Sequence, residues 1–324
     1  NYLVYIYIYI MEKELKSIVE TLGTSTSTSY TNSYKRLRNL LEMKDKRRPI
    51  KKMSVDFIID KIESVENPNT AHSVFVILKK LFPAETHKEK MDKLDDTIRK
   101  RKRELQIKKN GVLKETIPTY ADVNTAVKNE SNPKKYITSF LMLKVNTRNQ
   151  DIALIDMHQD VTDESKLDKT RNHLILKEDN KVLFIRNKYK TVKKYGVKRN
   201  IITVKKFAKM VKEIIRDGDD IPLYSTKTGG HILAASVGSY IRKFVILGLN
   251  EGILMKIVLK HIDDRGSYSE LRRVSNNRGT SISVLLSEYD ITNIALKPNE
   301  EIGQDQVVRQ EVKIETETDD EGEE

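Results

Sequence analysis

The sequence predicts a mainly α-helical chain with one small antiparallel β-sheet, an α+β fold with an all-helical first part and a mixed second part. Three observations predict it. Apolar residues recur at helical spacing through the first hundred positions, short alternating stretches bounded by turn residues occur between His173 and Val204, and helical spacing resumes at Phe207.

The elements follow in order. Asn1–Ile10, NYLVYIYIYI, alternates apolar and aromatic residues up to Met11 and has neither the basic start nor the small-residue cleavage site of a signal peptide. We expect translated upstream sequence there, with an N-terminal strand as the alternative. Glu12–Leu22 reads as a short helix ended by the Thr24–Ser29 Ser/Thr run, and Tyr30–Met43 as a second with Tyr34, Leu37, Leu40 and Leu41 on one face. Val55–Val65 repeats that period, with Ser54 or Asp56 as its cap. Asn67-Pro68-Asn69-Thr70 turns the chain and caps Ala71–Phe82. A highly charged helix, Lys88–Gln106, completes a helical domain at residues 11–106. Residues 107–118, with an Asn-Gly turn signal, read as a linker, and Pro118-Thr119 opens the next helix. The second domain, 119–298, starts with helices at Thr119–Asn129 and Pro133–Val145. Strands at His173–Lys177, Lys181–Tyr189 and Asn200–Val204 follow, the last two joined by the basic turn Lys190–Arg199. Helices at Ile241–Leu247, Gly252–His261 and Ile282–Tyr289 close it, with Tyr268 in a loop. Residues 299–324 read as an acidic, disordered tail.

Charge narrows the function. The chain of 324 residues carries a formal +12, yet Glu300–Glu324 holds eleven acidic and two basic residues, a net of −9. The first 299 residues therefore carry +21, which calls for a polyanionic partner, nucleic acid being the commonest. With no cysteine and six scattered histidines, disulfide frameworks and zinc fingers are excluded. No tight Asp/Glu/His constellation suggests a Mg²⁺ nuclease, no Gly-x-x-x-x-Gly-Lys-Ser/Thr loop suggests an ATP-driven enzyme, and no apolar run reaches membrane-spanning length.

Four local patterns remain. LKVNTRNQDIALIDM (Leu143–Met157) sets Arg148 at a helix start, with Asp151, Ile152 and Ile155 behind it. Tyr189-Lys190-Thr191 lies in the basic hairpin turn. GSYIRKFVIL (Gly238–Leu247) carries Ser239 and Arg242, and GTSISVLLSEY (Gly279–Tyr289) carries Thr280 with Tyr289 nine residues later. In this order, over roughly residues 25–290, they resemble the tyrosine recombinase (phage integrase-like) family. STSYTNSYKRLRNLL and Asn67–Thr70 are similar to that family's helical core-binding domain.

The resemblance implies a site-specific recombinase or integrase of viral or mobile-element type, acting on double-stranded DNA as a homo-tetramer on paired sites, with no cofactor, no metal and no membrane. It implies an intracellular location wherever the target DNA lies, in nucleus, cytoplasm or virion. Arg148 and Arg242 then clamp the phosphate, Lys190 (or Lys188) protonates the leaving 5′-oxygen, and Tyr289 is the nucleophile. Ser239 and Thr280 stand where the family has histidines. A type IB topoisomerase and a catalytically lapsed DNA-binding relative are the alternatives.

Overall fold

Asn67 caps a helix in the first half: its side chain accepts from the backbone N–H groups of Asn69 and Thr70, and Pro68 occupies the first turn, where a missing N–H costs nothing. The computed structural model describes residues 14–20, 22, 24–43, 48–82, 87–215, 221–226, 232, 236–265, 268–291 and 312–314. It divides into two units, Asn1–Val112 and Leu113–Glu324. The leader Asn1–Ile10 lies outside the described residues.

In the first unit, α1 (14–19), α2 (Thr24–Leu40), α3 (Val55–Glu63), α4 (Pro68–Leu81) and most of α5 (Lys88–Thr116) enclose Tyr34, Leu37, Ile58, Ile62, Phe75 and Leu94. Buried Glu14 accepts from the Tyr34 hydroxyl at 2.5 Å and from the N–H groups of Ile50 and Lys51 at 3.2 and 3.0 Å, joining three segments. Three expectations change. The Ser/Thr run from Thr24 opens α2 instead of ending the previous helix, because hydroxyl residues are well tolerated in a first turn. Ser54 precedes α3 without a side-chain cap. The helix α5 also continues to Thr116, through the stretch expected as a linker, since one glycine inside a long charged helix costs only about 1 kcal/mol.

In the second unit, Thr119 and Asp122 form a reciprocal capping box at α6 (Tyr120–Asn129). Asn132 caps α7 (Pro133–Lys144), which is buried along most of its length. A short α8 (Asn149–Ala153) leads into the sheet: β1 (Ile155–Gln159), β2 (Asn172–Leu176), β3 (Val182–Arg186), β4 (Lys198–Ile202), β5 (Ile221–Pro222) and β6 (Val312–Ile314), in the order β5-β1-β2-β3-β4-β6. The three expected strands pair antiparallel, but the sheet is mixed: β1 lies parallel to β2, and β6 parallel to β4. The tail, expected to be disordered throughout, thus supplies one strand; the other residues of that expectation lie outside the described ones. The β3–β4 turn contains a short helix, α9 (Val192–Tyr195). Beyond α10 (Lys205–Ile215), α11 (Val237–Ile241), α12 (Glu251–Arg265), α13 (Tyr268–Arg278) and α14 (Ile282–Tyr289) follow. Tyr268, expected in a loop, starts α13, whose apolar side is reduced to Leu271 and Val274 and so gave little periodic signal.

The sheet packs on α10, α10 on α7 and α7 on α12, in one core that includes Phe140, Phe207, Leu174 and Phe184. Phe207 is fully buried, 4.8 Å from the Phe140 ring. Phe207→Ala should therefore lower stability by about 3–5 kcal/mol in urea unfolding. Phe57→Ala, at a side chain 42% exposed, should change it by less than about 0.5 kcal/mol.

Candidate active site

One rung of the sheet delivers much of the site. Ile155, Asn172, Arg186 and Lys198 are register partners in turn across β1, β2, β3 and β4, so their side chains start from the same strand ends. Asn172 donates to the carbonyls of Asp151 (2.7 Å) and Lys188 (3.0 Å) and accepts from the Lys188 N–H (2.8 Å). This one side chain ties the turn after Arg148 to the β3–β4 turn.

Arg278, the last residue of α13, is fully buried. Its Nη2 donates to the Tyr289 hydroxyl at 2.9 Å and to Glu251 Oε1 at 2.5 Å, and its Nη1 donates to the Asn146 carbonyl at 3.4 Å. The guanidinium also lies 4.9 Å from the Tyr289 ring centre. Glu251 Oε2 accepts from the Asn149 N–H at 2.9 Å, linking this carboxylate to the residue after Arg148. Arg148 itself is half-buried; burial first, then the positive charge of Arg278, weakens its hold on its proton, while Asp151, Glu251 and Tyr289 oppose that effect. The Asp151 carboxylate accepts from the Arg148 N–H at 3.2 Å and stands 3.9 Å from Arg186 Nη1. Burial raises the Asp151 pKa, with Arg186 the main opposing influence.

Three guanidinium groups and two carboxylates thus share one buried region. Among the described residues, every buried side-chain N or O atom without a hydrogen-bond partner in the protein falls on residues 146–149, 151, 186 and 277. Arg148 Nη1, Arg186 Nε and Nη1, and Asn277 Nδ2 are donors of this kind, beside oxygens of Asn146, Thr147, Asn149 and Asp151, and orphaned buried donors are rare. Cationic donors in such a setting suit an oxyanion.

Of the residues singled out in the sequence, Arg148 and Tyr289 come together here, but around Arg278. Arg242 is exposed and donates from Nε to the Gly248 carbonyl at 3.1 Å; among the described residues no hydrogen bond or ion pair joins it to Arg148, Arg278 or Tyr289. Ser239 is exposed and donates to the Ser236 carbonyl at 3.0 Å. Thr280 follows the arginine closely, and its carbonyl accepts from the Ser275 hydroxyl at 2.6 Å. Lys190 and Lys188 are both exposed. Lys198, at the start of β4, is the turn lysine that reaches α13: its amine donates to the Asn276 carbonyl and faces the rings of Tyr195 and Tyr189 at 5.6 and 5.9 Å. Burial, then the charge of Arg186, lowers its pKa to about 8.

Arg278, Glu251, Arg186 and Lys198 were missed in the sequence. A signal existed for one of them: Arg278 directly precedes the Gly279-Thr280 turn already singled out for Tyr289.

Gly279 locks the turn onto this region. Its φ is +63°, and a Cβ there would lie 2.7 Å from the Tyr189 ring and 2.9 Å from Thr191 Oγ1. The Thr191 hydroxyl donates to the Gly279 carbonyl at 2.5 Å, and the Tyr189 hydroxyl to the Gly196 carbonyl at 2.6 Å. Gly279→Ala should cost about 1–3 kcal/mol in thermal or urea unfolding, through both the left-handed backbone and the clash.

No family model and no curated protein matches the chain. Several solved chains do match. One, described as the crystal structure of XerA recombinase, aligns at 9% identity with a TM-score of 0.33, covering 90% of this chain and 94% of that one. At that score the likeness carries no argument about chemistry. Among the described residues, no helix is long and apolar enough to cross a membrane.

Proposed function

We propose that this chain binds double-stranded DNA and cuts and rejoins it through a 3′-phosphotyrosine, as a tyrosine recombinase does. The observation that carries the reading is the 2.9 Å contact of the Tyr289 hydroxyl with Arg278, in a region shared with Arg148 and rich in unpartnered cationic donors. In this mechanism Arg148 and Arg278 neutralise the non-bridging oxygens of the scissile phosphate. The Tyr289 oxygen forms the new P–O bond while the bond from phosphorus to the 5′-oxygen breaks. The phenol gives its proton to solvent as the bond forms, while the Arg278 hydrogen bond holds its oxygen in place. The 5′-oxygen leaves with a proton from a lysine of the β3–β4 region, Lys198 being better situated than Lys190 because its amine is half-buried and gives up its proton near pH 8. A 5′-hydroxyl from a partner strand then attacks the phosphotyrosine, restoring the phenol. Strand exchange needs further copies of the chain on paired sites, and the +21 of the first 299 residues supports the DNA contacts.

A second reading, DNA binding without cleavage, is favoured by Arg278 being 1% exposed and held by the Glu251 carboxylate, and by Ser239 and Thr280 offering no imidazole. Trapping on a nicked suicide substrate decides between them. Tyr289→Phe should form no covalent adduct, whereas Tyr240→Phe and Tyr268→Phe should still form it; an adduct mapped to another tyrosine overturns the site. A wild-type protein that binds its cognate duplex yet never yields an adduct leaves only the second reading.

Arg148→Lys and Arg278→Lys should each slow cleavage by about 100-fold or more, because a point charge replaces a planar fork, with little loss of DNA affinity. Arg242→Lys should leave the rate within about threefold, since its guanidinium is exposed and bonded locally. Single-turnover rates on a suicide duplex check both.

If Lys198 is the acid, wild-type cleavage should fall as pH rises through about 8, where the amine loses its proton. Lys198→Ala should be slow and should lose that inflection. A DNA substrate with a 5′-phosphorothiolate leaving group, which needs no proton, should restore its rate. Failure of that rescue transfers the role to Lys190 or elsewhere.

A further inference from the structure

We propose that the acidic segment 315–324 seats on a lysine-lined groove of its own chain, at the end of the sheet opposite the arginine cluster. The groove, about 820 Å³, lies between the β2–β3 turn, the end of β4 and α10. Five of its lining residues are lysines, Lys181, Lys205, Lys206, Lys209 and Lys212, against one carboxylate, Asp179, which already pairs with Lys181. Lys206 donates to the Lys128 carbonyl and lies 5.1 Å from the Tyr136 ring. Lys205, Lys209 and Lys212 are exposed, and no carboxylate among the described residues pairs with them.

These three lysines follow one another at i, i+4 and i+7 along α10, so they share a face and repel each other. Lys205 and Lys206 also stand in the first turn, which carries no acidic residue, at the positive end of the helix dipole. An anionic segment laid along this face relieves both penalties.

The sheet register brings such a segment to the groove. β6 runs parallel to β4, with Ile314 opposite Ile202, so both strands leave the sheet at the same end. Beyond Ile202 the chain enters Thr203 and Lys205, which line the groove; beyond Ile314 it continues as ETETDDEGEE, with seven acidic and no basic residues. Ten extended residues reach as far as ~33 Å. The eleven residues of α10 span only ~16 Å, so the reach suffices. The inference does not depend on the DNA-cleaving reading, and it makes the groove an internally occupied polyanion surface.

The test compares the full chain with a variant of the same length, E315Q/E317Q/D319N/D320N/E321Q/E323Q/E324Q. Lysine labelling rates with an N-hydroxysuccinimide ester are read by mass spectrometry at low salt, with Lys193 as the reference. Neutralising the segment should speed labelling of Lys205, Lys209 and Lys212 several-fold and leave Lys193 unchanged. In 1 M salt, where the Debye length falls to ~3 Å, the difference should vanish. Carbodiimide cross-linking of a mixture of ¹⁴N and ¹⁵N wild-type chains should join 315–324 to these lysines within one isotopic chain. Equal labelling rates in the two proteins, cross-links scattered to other lysines, or cross-links between isotopically different copies would overturn the proposal.

Discussion

The second unit is organised around the burial of three arginines with two carboxylates. Moving guanidinium groups out of water is costly, and Asp151 and Glu251 offset only part of the cost for Arg148, Arg186 and Arg278. The five groups come from four segments: the α8 start with Arg148 and Asp151, β3, α12 and α13. The pairs therefore fix how helices and sheet meet, and an error in any one of these segments would leave an unpaired charge in the interior. The strict register of β1 through β4 and the close approach at Gly279 keep all of them at one end of the strands.

Elsewhere the second unit follows ordinary packing rules, with an apolar helix face on an apolar sheet face and capped helix starts. Polar groups depart from those rules at the arginine cluster, where buried donors lack protein partners. Among the described residues, four of the unsatisfied side-chain atoms there are nitrogens, three of them on guanidinium groups, and four are oxygens. The same strands carry positive charge at both ends for different reasons. At one end the arginines are buried and geometrically fixed, which suits one phosphate held in one orientation. At the other most of the lysines are exposed point charges, which suit a diffuse and replaceable polyanion.

Much of this was legible in the residues. Helical spacing gave α3, α4, α6 and α7, the caps at Asn67 and Thr119 were visible as such, and alternation gave the three central strands. Those signals are local, since each depends on residues within a turn or two of one another. The strands β1, β5 and β6 escaped because two or three residues paired at a sheet edge, or a strand fused to a preceding helix, leave no period to detect. The boundary between the two units falls inside the 107–118 stretch read as a linker, but most of that stretch is helical, because a turn dipeptide is a weaker influence than the helix on either side of it.

For the site, the sequence by itself determined a strongly basic body, an acidic end, and Arg148 and Tyr289 as residues to examine. Only the tertiary structure decided which arginine meets the tyrosine. Arg242 and Arg278 are alike as letters, each at the C-terminal end of a helix. One ends exposed, bonded to a nearby carbonyl, and the other ends buried between Glu251 and Tyr289. That difference arises from burial and from partners 27 and 11 residues away, quantities set by how helices pack. The same holds for Lys198, whose lowered pKa comes from the helix laid over it and from Arg186 on the neighbouring strand, not from the turn in which its sequence places it.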